Sequence, residues 1–62
     1  MNDDILTAYF TGRLDGIAAR RDQARATDPV TGPDYRTGFL DGRLEVFRLL
    51  SNIRRIVEEN DW

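Results

Sequence analysis

The sequence predicts an all-α fold in which two helices form an antiparallel hairpin, and two hairpins dimerise into a four-helix bundle. Three observations lead to this fold. Apolar residues recur at helical spacing in both halves of the chain, one turn-rich segment separates the halves, and each half carries the same eight-residue motif. A chain of 62 residues forms one domain, 1–62, and such a domain buries only about 60 % of its unfolded surface. Since Cys and His are both absent, we expect another protein chain, not a disulfide or a zinc ion, to stabilise it.

The motif Y-x-T-G-x-L-D-G spans residues 9–16 and 35–42, and six of its eight positions are identical in the two copies. Each internal glycine destabilises a helix by about 1 kcal/mol relative to alanine. Glycines four residues apart, however, lie on one face and let a second backbone approach closely. The motif therefore predicts a helix-packing contact formed by Tyr9, Gly12, Gly16, Tyr35, Gly38 and Gly42. The alternative is that T-G and D-G are turn signals, but the apolar spacing continues through both copies.

The first helix is predicted over about residues 3–26. Its main apolar residues recur at spacings of four, four and three, which is typical of an amphipathic helix: Leu6, Phe10, Leu14 and Ile17. Asp3 and Asp4 lie near the positive end of the helix dipole, and residues 18–26 are mostly good helix formers. The connector is predicted at residues 27–33, where two prolines and a glycine fall within five residues.

The second helix is predicted over about residues 34–59, with Pro33 at its first position. Its apolar stripe is broader than one facing helix of equal size would cover, so it predicts contact with more than one neighbour. We expect a second copy of the chain or a different protein to cover the excess. The residues assigned to this oligomer or partner face are Phe39, Val46, Leu50, Ile53 and Val57.

The charge pattern bears on partners. The formal net charge is −2, yet all nine basic residues are Arg and lie between residues 13 and 55. Arginine makes bidentate contacts to phosphate and carboxylate, so the candidate contacts to a polyanion or an acidic partner are Arg13, Arg20, Arg21, Arg25 and Arg43. The pI near 4.8 argues against a dedicated nucleic-acid domain, and ion pairing on solvated helix faces is the other interpretation. The sequence shows neither a secretory signal nor a membrane span, so we expect a cytoplasmic protein.

Catalysis, a cofactor and a metal site are not expected. Without His and Cys, the candidate groups are carboxylates, hydroxyls and Arg. Asp15 and Asp41 hold equivalent positions in the two motif copies and could share a proton or a metal ion. A chain this short builds no water-excluding pocket around them, so we expect them to form surface salt bridges with Arg.

Residues 12–20, a proline-containing connector and residues 39–45 together resemble the ribosome modulation factor family. Residues 12–20 match its G-x-x-x-G-I-A-x-R-like first helix, and residues 39–42 match the aromatic-Leu-x-Gly segment of its second helix. The resemblance implies a two-helix fold that binds ribosomal RNA and protein and silences ribosomes in resting cells. This chain departs from the family in being acidic and lacking Lys, and Arg13 and Arg43 replace aromatic residues that flank the glycines there.

We therefore expect a small non-enzymatic interaction protein, a regulator or inhibitor, that docks a helical surface on a macromolecular protein partner. Many proteins of this size and type come from phages or mobile elements. The alternative is a ribosome- or RNA-binding modulator that uses the Arg residues. No membrane partner is expected.

Overall fold

The computed structural model of the chain describes residues 2–60, with side chains from residue 4 to residue 59. It contains three helices, α1 (Asn2–Ala18), α2 (Gln23–Ala26) and α3 (Gly32–Asn60), and no strand within residues 2–60. The prediction of an all-α fold is confirmed. Over the same residues, no helix combines the length and the apolar character that crossing a bilayer requires.

The first helix ends at Ala18, so the prediction that it continues to about residue 26 is wrong. Ala19 adopts a left-handed backbone conformation, with φ of 57°. The Arg20 N–H donates to the Asp15 carbonyl at 2.8 Å, and the Ala19 N–H donates to the Gly16 carbonyl at 3.2 Å. These two bonds form a Schellman motif, which ends a helix and usually has glycine at the left-handed position. Because alanine is the best helix former, the sequence gives no signal of this end.

Residues 19–31 connect α1 to α3 and include α2, a single helical turn. Asp22 caps α2, because its side chain accepts a hydrogen bond from the Arg25 N–H at 3.2 Å. Asp28 then opens a turn in which its Oδ1 accepts from the Thr31 N–H at 2.9 Å and the Val30 N–H at 2.8 Å. These bonds favour the carboxylate and lower the pKa of Asp28 below its usual value of 3.8. Residues 27–31 of the predicted connector form the second part of this longer connection, whereas residues 32 and 33 belong to α3.

α1 and α3 run in the same direction, so the prediction of an antiparallel hairpin is wrong. Contacts advance by four residues on both helices together: Gly38 lies against Tyr9, and Gly42 lies against Arg13. In an antiparallel pair, the second contact would lie nearer the start of α1. The connection at residues 19–31 explains the difference. When extended, this connection can span up to about 45 Å. For α3 to begin beside the first part of α1, the chain must run back along about twelve residues of α1, a distance of only about 18 Å.

The packing between α1 and α3 uses mainly the first half of α3. The hydrogen bonds and close backbone contacts between them involve residues 35–45 of α3. The core is small: within the described side chains, the buried apolar residues are Ala8, Ala26 and Tyr35, with Phe39 packed against them. Beyond residue 45, α3 continues to Asn60, which is about four further turns.

Candidate protein-interaction site

Four glycines form the centre of the α1–α3 crossing, and all four are buried. A Cβ atom at Gly12 would overlap the carbonyl oxygen of Tyr35, and one at Gly38 would overlap that of Tyr9. The second half of each motif repeats this arrangement, with Gly16 against the Phe39 carbonyl and Gly42 against the Arg13 carbonyl. Since backbone atoms cannot rotate aside, only glycine permits so close an approach. It is the kind of contact that small residues four apart make between membrane helices.

The tyrosine of each motif copy donates a hydrogen bond to the aspartate of the other copy. Tyr9 Oη lies 2.5 Å from Asp41 Oδ2, and Tyr35 Oη lies 2.6 Å from Asp15 Oδ2. The expectation that these aspartates form salt bridges with Arg is therefore wrong. Each is held in its own bond across the crossing, and within residues 4–59 no group of three or more acidic side chains is arranged to hold a metal ion.

The two tyrosines differ in their surroundings. Tyr35 is 1 % exposed, and its hydroxyl also accepts a hydrogen bond from the Asp22 N–H at 2.9 Å. Burial, followed by the bond to Asp15, raises the pKa of Tyr35 above its usual value of 10.0. Tyr9 is only half-buried, and the bond to Asp41 is the main cause that raises its pKa. The connection between the helices therefore covers the Tyr35 side of the crossing.

The predicted Arg contacts fall into two environments. Arg13 forms an ion pair with Glu45 at 2.5 Å, and Arg43 donates to the Gly16 carbonyl at 3.2 Å with its guanidinium carbon 5.0 Å from the centre of the Phe47 ring. Both therefore support the crossing. The other three lie exposed between the end of α1 and the end of α2: Arg20, Arg21 and Arg25. Arg25 forms an ion pair with Asp22 at 3.3 Å.

The main apolar stripe of α1 does not face α3. Its four residues are between 40 % and 63 % exposed: Leu6, Phe10, Leu14 and Ile17. The adjoining stripe makes the contact instead, with Gly12 and Gly16 at its centre. The glycines decide which stripe is used, because they allow backbone-to-backbone contact that large side chains prevent.

The second half of α3 carries an apolar surface that we call the tail face: Val46, Leu49, Leu50, Ile53 and Val57. Val46 and Ile53 follow Phe39 by seven and fourteen residues, so they lie on the same side of α3. The tail face thus continues the face of α3 that packs against α1, beyond the point where α1 ends. Ile53 is 48 % exposed and Val57 is 61 % exposed. Of the predicted partner face, only Phe39 belongs to the crossing.

Comparisons with known proteins give no match: no family model, no curated protein and no solved structure is similar to this chain. The resemblance to the ribosome modulation factor family therefore stays a prediction based on residues 12–20 and 39–45.

The sequence analysis missed the pairing between tyrosine and aspartate, although a signal for it exists. Tyr and Asp are identical in both copies of the motif, whereas the second and fifth positions differ. When two packed helices carry the same Tyr and Asp at equivalent positions, the tyrosine of each helix can donate a hydrogen bond to the aspartate of the other, as Tyr9 does to Asp41. No pattern in the sequence indicates that the Asp22 N–H donates a hydrogen bond to the Tyr35 hydroxyl.

Proposed function

We propose that the chain is a non-enzymatic interaction protein, a small regulator or inhibitor, that docks the tail face of α3 on a helix of a macromolecular protein partner. The observation that supports this proposal is the continuity of one helix face. From Tyr35 to about Val46 that face is packed or partly buried, and from Leu49 to Val57 it is open. A helix with so broad an apolar surface requires a second neighbour.

A helix is the element that fits this surface. α1 already packs along the first half of the same face, and the remaining length of about 15 residues corresponds to about 22 Å. Recognition through residues at i, i+3, i+4 and i+7 is the usual way in which an amphipathic helix meets an apolar groove. Homodimerisation, expected from the sequence, is one form of this proposal because a second copy carries the same face.

The exposed area gives the interaction its driving force. Monomeric soluble proteins rarely expose contiguous apolar patches larger than a few hundred Å². Leu50, Ile53 and Val57 are each about half exposed, so covering them is worth on the order of 1 kcal/mol per side chain. One edge of the tail face is charged, because Arg54 lies beside Leu50 and Val57 on α3 and pairs with Glu58 at 2.9 Å; polar rims of this kind surround the apolar centres of interfaces.

Site-specific photo-crosslinking in cells tests the proposal. A photoreactive amino acid is placed at Ile53 in the tail face and, as a matched control, at Ser51, which is exposed on another side of the same helix. We expect protein adducts from position 53 and few from position 51. Equal adducts from both positions, or none from either, would contradict docking through the tail face.

The ribosome- or RNA-binding function stays a second proposal, supported by the exposure of Arg20 and Arg21 beside Arg25. Phosphate contacts by these residues would make binding fall steeply with salt. Co-sedimentation with ribosomes should then decrease between low and physiological salt and weaken when the three residues are replaced by Ala. Co-sedimentation that does not change with salt concentration, or no co-sedimentation at all, would contradict this proposal.

A further inference from the structure

We infer that the helix that covers the tail face is the α3 helix of a second copy, packed antiparallel with the midpoints of the two tails near Ile53. This inference rests on the proposed function, because it names the partner of the same surface. It replaces the compact four-helix bundle expected from the sequence with a different assembly, in which only the tails are shared.

The tail face has the spacing of a surface that pairs with itself. Val46, Leu50, Ile53 and Val57 follow one another at four, three and four residues, which forms a continuous seam along a helix. Such a seam with β-branched and Leu residues is typical of helices that associate with copies of themselves.

The position of α1 determines the direction of the second copy. α1 packs on the same face of α3 up to about residue 45. In a parallel pair, the α1 helices of both copies would lie between the two α3 helices and would collide. In an antiparallel pair, the last described residues of the second copy's tail lie beside the end of α1. Residue 60 of one copy then lies opposite residue 46 of the other, so each tail fills the length that α1 leaves open.

The expected dimer is of modest strength. Four half-exposed apolar side chains from each copy, with the partly buried Val46 and their neighbours, bury on the order of 1,000 Å² in total, which is near the lower bound of specific interfaces. The particle should be elongated, because the two crossings lie at opposite ends of the paired tails. A single chain measures 54 Å along its longest axis, so the maximum dimension of this dimer must clearly exceed 54 Å.

The first test is the mass of the full chain in solution, measured by light scattering during size exclusion over roughly two decades of concentration. We expect about 14 kDa at the high end, twice the mass of the 7.1 kDa chain. Ile53→Glu places a charge in the seam and should give a monomer at all concentrations. Ser51→Glu adds the same charge outside the seam and should leave the dimer intact.

The second test distinguishes the two directions. The chain has no cysteine of its own, so Leu50→Cys and Val57→Cys each introduce a single thiol. In the antiparallel register, neither variant should oxidise efficiently with itself, but a mixture of the two should form a disulfide-linked dimer that thiol reduction reverses. If each variant links to itself and the mixture gains nothing, the pairing is parallel and the inference is overturned.

The remaining outcomes separate this inference from the proposed function. If the wild-type chain is monomeric at all concentrations but forms adducts with another protein from position 53, pairing with a second copy is overturned. Docking through the tail face is then still supported. A monomer that forms no such adducts overturns both. A dimer that Ile53→Glu leaves intact places self-association elsewhere on the molecule and overturns the inference alone.

Discussion

At the residue scale, the hydroxyl of Tyr35 links three parts of the chain. It donates to Asp15 on α1 at 2.6 Å and accepts from the Asp22 N–H of the connection at 2.9 Å. We expect Tyr35→Phe to lower the free energy of unfolding by about 2–3 kcal/mol, because it leaves the Asp22 N–H and the Asp15 carboxylate without this partner.

Tyr9→Phe is the matched control for that change. It removes the equivalent bond to Asp41, but this side of the crossing is open to water, which replaces the lost partner. Urea unfolding followed by circular dichroism should therefore show a much larger loss for Tyr35→Phe than for Tyr9→Phe. Equal losses in the free energy of unfolding would mean that the connection does not shield the Tyr35 hydroxyl from water any better than the Tyr9 hydroxyl.

The same hydroxyls predict how stability depends on pH. The folded state raises the pKa of Tyr35 through burial and raises the pKa of Tyr9 through its bond to Asp41, whereas the unfolded chain keeps values of about 10. The contribution is therefore fully present below pH 10 and is lost as pH rises above 10. We expect the free energy of unfolding to fall above about pH 10, and Tyr35→Phe to show a smaller fall. A wild-type stability that stays constant through this range would contradict it.

At the scale of the elements, the end of α1 depends on a residue poorly suited to its conformation. Ala19 has φ of 57°, a region that costs a non-glycine residue about 1–2 kcal/mol. Ala19→Gly removes that cost, offset in part by the greater freedom of glycine in the unfolded chain. We expect a net stabilisation of about 0.5–1 kcal/mol in thermal unfolding. Ala18→Gly, one residue earlier and still within α1, should destabilise instead; if both changes destabilise, the helix does not end as described.

At the α1–α3 crossing, replacing glycine by alanine should change the free energy of unfolding in the direction opposite to the usual one. Alanine in a helix is normally favoured over glycine by about 1 kcal/mol, yet a Cβ at Gly38 overlaps the backbone of Tyr9. We expect Gly38→Ala to lower the free energy of unfolding by about 2 kcal/mol or more, since overpacking outweighs propensity. Ser51→Ala, at an exposed position of the same helix, should be neutral or slightly stabilising. A gain in stability for Gly38→Ala would exclude the close backbone contact.

The elements also show what the sequence can and cannot predict. Helical spacing and the repeated glycines are local patterns, and they predicted an all-α chain and the residues that lie at the crossing. The direction of the crossing depends on where α1 ends, and that end is made by Ala19, a residue with no stop signal. Without this end, the sequence predicts a connector of only seven residues, 27–33, and an antiparallel pair of helices. The partners of Asp15 and Asp41 depended on that direction and were assigned to Arg instead.

At the scale of the whole molecule, the structure has two parts with different sources of stability. The crossing of α1 and α3 has buried glycines, a buried tyrosine and cross-helix bonds. The tail beyond residue 45 has an apolar face with no covering element in residues 2–60. An isolated helix of about 15 residues is marginal in water, so we expect a second chain that covers the apolar face to stabilise the helical tail.

This division predicts that helicity depends on concentration. As the proposed dimer dissociates on dilution, residues 46–60 should lose helix while the crossing keeps it, so the ellipticity at 222 nm should fall together with the mass. Ile53→Glu should have the lower ellipticity at every concentration, and Ser51→Glu should follow the wild type. Hydrogen exchange locates the change: amides of residues 46–60 should lose protection on dilution before those of residues 9–17. If the tail stays helical and protected in a monomer, α3 is stable by itself, and its exposed face then exists before any partner binds.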